Sequence, residues 1–145
     1  MSIRDNIQKA ITDATKSRNQ LRLECLRMAK GALLLKEKEK GAEVTDEAAT
    51  VVLRAEVKKR QQSIEIFRQH GREDAAKATE DEIRVIEEFL PKQLSAADVE
   101  AKVRAYLAAH PDANHPGKLT GAMKKELGDL ADGKILNEIC RKVLE

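Results

Sequence analysis

Apolar residues recur along this chain at three- and four-residue intervals, the spacing of one face of an α-helix. Ile3, Ile7 and Ile11, with Ala10 and Ala14 beside them, predict a first helix from about Ser2 to Lys16. Ser2 is placed to cap it, with Asp5 three residues on. Leu21, Cys25, Met28, Ala29, Ala32 and Leu35 predict the buried stripe of a second helix, from about Arg18 to Glu39. Leu26, Leu33 and Leu34 widen that stripe, and so wide a face packs against more than one neighbour. Residues 36–40 alternate in charge and run into Gly41, a glycine stop. A third helix opens at Thr45, where Asp46 and Glu47 suit the positive end of the helix dipole. Ala49, Leu53, Val57, Ile64 and Phe67 mark its inner face, and it stops near His70-Gly71. A fourth runs from about Glu73 to Leu90, with Ile83, Ile86, Phe89 and Leu90 clustered at its end. Pro91 closes it, because the residue before a proline avoids the helical region.

The clearest helix start is Leu94-Ser95-Ala96-Ala97-Asp98-Val99. Ser95 is the N-cap, Asp98 completes a capping box, and Leu94 and Val99 occupy the hydrophobic-staple positions. Val99, Val103 and Leu107 continue this fifth helix until Pro111, and residues 110–117 form a turn-rich loop. A sixth helix covers about Lys118 to Leu127, with Leu119, Met123 and Leu127 aligned. Asp132 caps a last one, whose apolar lines are Ile135, Ile139, Val143 and Leu136, Cys140, Leu144. The fold class expected is all-α. A helical hairpin or bundle of about four helices spans residues 1–92, and a small three-helix domain spans residues 93–145.

Composition agrees with this pattern. Charged residues make up 36% of the chain and aromatic residues 2%, with no Trp. Ala, Leu, Glu, Lys and Arg dominate, and all are good helix formers. The net charge is only +2, but it is uneven. Residues 1–40 hold ten Lys and Arg against five Asp and Glu, residues 41–95 nine against twelve, and residues 96–145 eight of each. The basic first third suits an anionic partner, and it equally suits an ordinary helical surface. No apolar run approaches the roughly 20 residues of a membrane span. The first residues have no apolar core of a signal peptide, so the expected location is cytoplasmic and no membrane partner is expected.

The search for chemistry yields little. Neither GxGxxG nor GxxxxGK[ST] nor HExxH occurs. Cys25 and Cys140 sit within apolar stripes and read as small core residues. Cys25 with His70 would need a geometry that a sequence does not supply, and a thiol on an apolar stripe is inert. His110, Asp112 and His115 fall short of the four-ligand spacing of a structural zinc site and read as a solvated loop. No catalytic residue, metal site or cofactor is expected. Two basic clusters remain. Lys58, Lys59 and Arg60 are consecutive and fan around about 200° of a helix, so they form no flat patch. Lys118, Lys124, Lys125 and Lys134 flank two helix starts, where backbone N–H groups and lysines can together hold a phosphate. A solvated face accounts for the same residues. Stacking on bases has little to work with, since Phe67, Phe89 and Tyr106 are the only such rings and both Phe are expected inside.

Certain segments carry a family resemblance. Lys59-Arg60-Gln61-Gln62-Ser63-Ile64-Glu65-Ile66-Phe67 followed by Gly71-Arg72-Glu73-Asp74 resembles the KxRxxSIExF…GRxDL core of the YqeY family. Glu80-Asp81-Glu82-Ile83 and Phe89-Leu90-Pro91-Lys92-Gln93-Leu94-Ser95 are similar to its ExEI and YLPxQLS segments. Asp13 to Arg18, Leu26-Arg27-Met28, Gly117-Lys118-Leu119 and Ala131-Asp132-Gly133 match further stretches, so the likeness spans the chain. It departs at Thr120, where the family usually has Met, and at Asp129-Leu130, where it usually has Gly-Arg. The second change removes a candidate phosphate contact and adds a carboxylate.

The resemblance implies two helical domains similar to the C-terminal tail of GatB, the B subunit of the glutamine-dependent Asp/Glu-tRNA amidotransferase, where the tail contacts tRNA. It implies that any carbon–nitrogen ligase label is inherited from the catalytic domain of that larger protein. The leading expectation is a non-catalytic, tRNA-associated module, with Lys118, Lys124, Lys125, Lys134, Lys59 and Arg60 as candidate contacts. The alternative is a protein–protein adaptor, touching amidotransferase subunits or another protein, with no nucleic-acid role. The oligomeric state is not legible.

Overall fold

The computed structural model describes residues 2–145, all α-helical apart from turns and loops. The helices are α1 (Ile3–Lys16), α2 (Gln20–Lys40), α3 (Asp46–Gln69), α4 (Glu73–Glu87), α5 (Ala96–Ala109), α6 (Pro116–Leu127) and α7 (Gly133–Val143). A single 3-10 turn, Gly128–Leu130, follows α6. No strand occurs among the described residues. The all-α expectation holds. No helix is long and apolar enough to cross a membrane among the described residues.

The helices fall into two compact units, one ending at Pro91 and one running Lys92–Glu145. In the first, α3 lies along α4 and α2, and α1 packs on α2 and α3. Ile7, Leu26, Leu33, Leu53 and Ile86 are its most deeply buried large side chains. Local chemistry fixes the helix ends. Ser2 caps α1 by accepting from the Asp5 amide, and Thr45 caps α3 by accepting from the Ala48 amide. Gly41 ends α2 in the left-handed region at φ 71°, where a Cβ is penalised. Two carboxylates then tie the elements together. Asp46 accepts from the Ile3 amide at 2.9 Å, joining the starts of α1 and α3. Glu37 accepts from the Val44 amide at 3.0 Å and the Arg4 guanidinium at 2.8 Å.

In the second unit α7 packs against both α5 and α6. Val99, Val103, Leu119, Met123, Leu136 and Cys140 form its core. Ser95 caps α5 by accepting from the Asp98 amide, and Leu94 and Val99 join the same core. The entry segment is pinned to the 3-10 turn. The Leu94 amide donates to the Leu130 carbonyl at 2.8 Å, and the Gln93 side chain donates to the Asp129 carbonyl at 3.0 Å.

Several expectations are corrected. The buried residues of α2 are Leu23, Cys25, Leu26, Ala29 and Leu33, while Leu21, Met28, Leu34 and Leu35 face outward. Apolar residues surround much of this helix, so its neighbours decide which face is covered. The helix begins at Gln20 because Arg18 takes a left-handed φ of 57°. α4 ends at Glu87, and its last carbonyls are taken by tight turns, with the Phe89 and Leu90 amides donating to Ile86 and Glu87. α6 starts earlier than expected, at Pro116, because His115 caps it.

Candidate nucleic-acid interface

The four candidate lysines of the second unit, Lys118, Lys124, Lys125 and Lys134, are all exposed, and the fold sorts them into two pairs. Lys118 and Lys125 are seven residues apart on α6, so they share one line of that helix. Gly121 lies between them, exposed, with nothing within 4 Å of where its Cβ would stand. The face is therefore flat between two cations. Lys124 and Lys134 make the other pair. Lys124 leaves the end of α6 and lays its stem across the start of α7, its Cε 4.0 Å from the Cβ position of Gly133. Lys134 is the next residue of α7, so this helix start combines two lysines with free backbone N–H groups, the ingredients of an anion site. Asp132 shares the place, since it caps α7 by accepting from the Ile135 amide at 3.3 Å. Its carboxylate opposes an anion there. Lys118 pairs with Asp112 at 3.8 Å across exposed side chains, a contact of little strength.

The candidates on α3 part company. Lys59 is exposed and pairs with Glu56 at 3.1 Å. Arg60 turns inward. Its guanidinium donates to the Glu56 carbonyl at 3.1 Å and sits 3.6 Å from the Glu56 carboxylate. It is 7% exposed, and its Nε has no hydrogen-bond partner among the described residues. Arg60 is thereby corrected from a surface contact to an internal one, because a side chain held inside the first unit does not meet a phosphate.

The remaining chemistry-bearing residues are engaged structurally. Cys25 is buried, and its thiol approaches the Glu82 carbonyl at 3.5 Å. Burial pushes this thiol up, opposed by the nearby Arg60 charge, so the thiolate is disfavoured. Burial pushes the Cys140 thiol up as well. His70 caps the end of α3 in an exposed position. His115 accepts from the Gly117 amide at 3.2 Å, so one member of the imagined His110, Asp112, His115 group is a helix cap. No group of metal-binding side chains occurs among the described residues. An apolar groove in the second unit is lined by Leu107, Ala108, Pro111, Val143 and Leu144, with Arg104 and Asn114 at its polar edge. That lining holds no nucleophile and no carboxylate.

The most recognisable motif has a structural role. Gly71 turns the chain between α3 and α4 at φ 70°. Arg68 pairs with Glu73 at 3.2 Å and with Glu80, clamping the two helices. The Arg68 hydrogen bond holds Glu73 below the usual carboxylate range. Arg72 lies 5.7 Å over the Phe67 ring. Sequence reasoning missed the roles of Gly121 and His115. A glycine inside a predicted helix and a His-Pro at its start were the available signals.

Comparison with known proteins agrees with the motifs. The family model described as "Yqey-like protein" matches residues 4–144. An uncharacterized protein of Schizosaccharomyces pombe is 33% identical over 89 residues, which cover 61% of this chain and 72% of the relative.

Proposed function

Because the chain belongs to the YqeY family, we propose that it is a non-catalytic, tRNA-associated helical module, similar to the tail of the amidotransferase B subunit. Its second unit holds RNA by phosphate contacts. The observation that carries this reading is the crossing of Lys124 over Gly133, which brings a second lysine to the start of α7 beside Lys134. The Lys118–Gly121–Lys125 line supports it as a flat cationic face. Buried thiols and a groove without acid–base groups give chemistry little to use.

The test is fluorescence anisotropy of labelled tRNA with the full chain. Three or four phosphate contacts predict that affinity falls roughly 40- to 150-fold between 50 and 200 mM salt. Lys124→Glu and Lys134→Glu should each weaken binding across all tRNAs by roughly tenfold at low salt. Arg60→Gln should not change affinity in protein that remains folded. An absence of binding at 50 mM salt would remove the tRNA reading. The adaptor alternative draws on a different observation, the exposed apolar side chains of α2. Binding of amidotransferase subunits that survives high salt, with no tRNA affinity, would select it.

A further inference from the structure

Gly31 lies inside α2, where glycine is a weaker helix former than any residue but proline. Its φ is not left-handed, and a Cβ built there would meet nothing within 4 Å. Neither backbone conformation nor packing within the chain asks for glycine. Its surroundings are unusual for a solvated face. Met28, Leu34 and Leu35 stand one turn away, exposed by 55%, 43% and 60%, with exposed Arg27 beside them. Glu24 and Lys38 stand seven residues before and after, on the same side of the helix and both exposed. Lys38 has no ion-pair partner among the described residues, and Glu24 takes only a neutral hydrogen bond from Gln20, at 3.0 Å.

We propose that this face docks a second copy of this chain, the two α2 helices crossing antiparallel about a two-fold axis at Gly31. The charges select this occupant. A two-fold at Gly31 sets each residue against the one equally far on the other side. Glu24 then meets Lys38 of the second copy, and Lys38 meets Glu24, as an isologous interface requires. Parallel pairing in register would instead set Glu24 on Glu24 and Lys38 on Lys38. Met28 meets Leu34 of the second copy, and the Arg27 stem covers Leu35. Gly31 meets Gly31, so no side chain separates the backbones at the crossing. The interface is small, so the dimer is reversible and its population depends on concentration. It uses a helix of the first unit and stands whether or not the lysines of the second unit bind RNA.

Sedimentation equilibrium of the full chain between about 1 µM and 1 mM tests this, the range in which a small interface dissociates. Wild-type protein should fit a monomer–dimer equilibrium. Gly31→Leu strengthens the helix, so circular dichroism should show α2 retained, while the bulk at the crossing weakens the dimer by at least about tenfold. Lys38→Glu and Glu24→Lys should each weaken it by about fivefold through like-charge pairs, and the double exchange should return it to within about twofold of wild type. A protein monomeric up to about 1 mM overturns the proposal, as does a dimer indifferent to Gly31→Leu. Failure of the double exchange to restore association overturns the antiparallel crossing.

Discussion

Glu37 shows how one side chain can organise a junction. Its carboxylate accepts from the Val44 amide and from Arg4, so it joins the end of α2, the loop into α3 and the first turn of α1. The Val44 hydrogen bond, followed by the Arg4 interaction, lowers its pKa below the ordinary 4.5. The sign of the pH dependence follows. A carboxyl that is more acidic in the folded chain stabilises the fold above its unfolded pKa. That contribution is lost as pH falls through the folded value. Glu73 and Glu100 are lowered as well, by Arg68 and by Lys142. Thermal midpoints should therefore hold steady near neutrality and fall as pH drops below 4.5. Glu37→Gln should lower the midpoint at pH 7 and shrink its acid slope, both read by thermal melts across pH 2–7. A slope identical to wild type would show that Glu37 does not contribute. Lys59 is a contrast, exposed and paired with Glu56, whereas Glu56 is largely covered and also engages the buried Arg60.

At the scale of elements, the junction of α1 and α2 carries a correctable strain. Ser17 ends α1, and the amides of Arg18 and Asn19 fold back to the Thr15 and Ala14 carbonyls at 3.3 and 3.0 Å. That is the Schellman pattern, whose left-handed position favours glycine, yet Arg18 occupies it at φ 57°. The left-handed region costs an L-residue roughly 1–2 kcal/mol, and glycine gives part of that back through its freer unfolded chain. Arg18→Gly should stabilise the protein by about 0.5–1 kcal/mol, seen as a higher urea midpoint with an unchanged slope. Destabilisation would mean that the Arg18 side chain contributes more than its backbone costs.

The same elements show what the chain makes legible. Ser2, Ser95 and Asp132 were readable as caps because capping is a short-range bond between a side-chain oxygen and an amide three residues on. The inner face of α3 was readable because Ala49, Leu53, Val57 and Ile64 recur on one line of the helix, with Val51 and Ile66 off that line and exposed. The face of α2 was not. Its apolar residues point in most directions, and only the packing of α1, α3 and α4 chooses Leu23, Leu26 and Leu33 over Leu21, Met28 and Leu35. Arg60 failed for the same reason, since three consecutive cations must diverge and tertiary contacts decide which one turns inward. The exposure of Lys124 and Lys134 was legible. Their meeting at Gly133 was not, because it joins two helices through a turn whose geometry no local pattern specifies.

For the molecule as a whole, each unit carries a core of its own. In Lys92–Glu145, buried Val99, Val103, Leu119, Met123, Leu136 and Cys140 pack on one another, and the Leu94–Leu130 and Gln93–Asp129 hydrogen bonds close the unit internally. Excision at Lys92 leaves all of these in place. We therefore expect the isolated 92–145 segment to fold, with a helical spectrum and a cooperative melt. A chain of this size has little reserve, about 3–5 kcal/mol, because so much of its surface stays wet. Leu119 is fully buried, and Leu→Ala at such a position costs about 2–5 kcal/mol. Leu119→Ala should thus unfold most of the isolated segment at 25 °C, whereas Lys125→Ala, on the exposed face of the same helix, should shift its midpoint by no more than a few degrees. A non-cooperative melt of the unsubstituted segment would show that this core depends on the rest of the chain. A cooperative one would yield the smallest piece on which Lys118, Lys124, Lys125 and Lys134 can be assayed for RNA without the basic residues of the first unit.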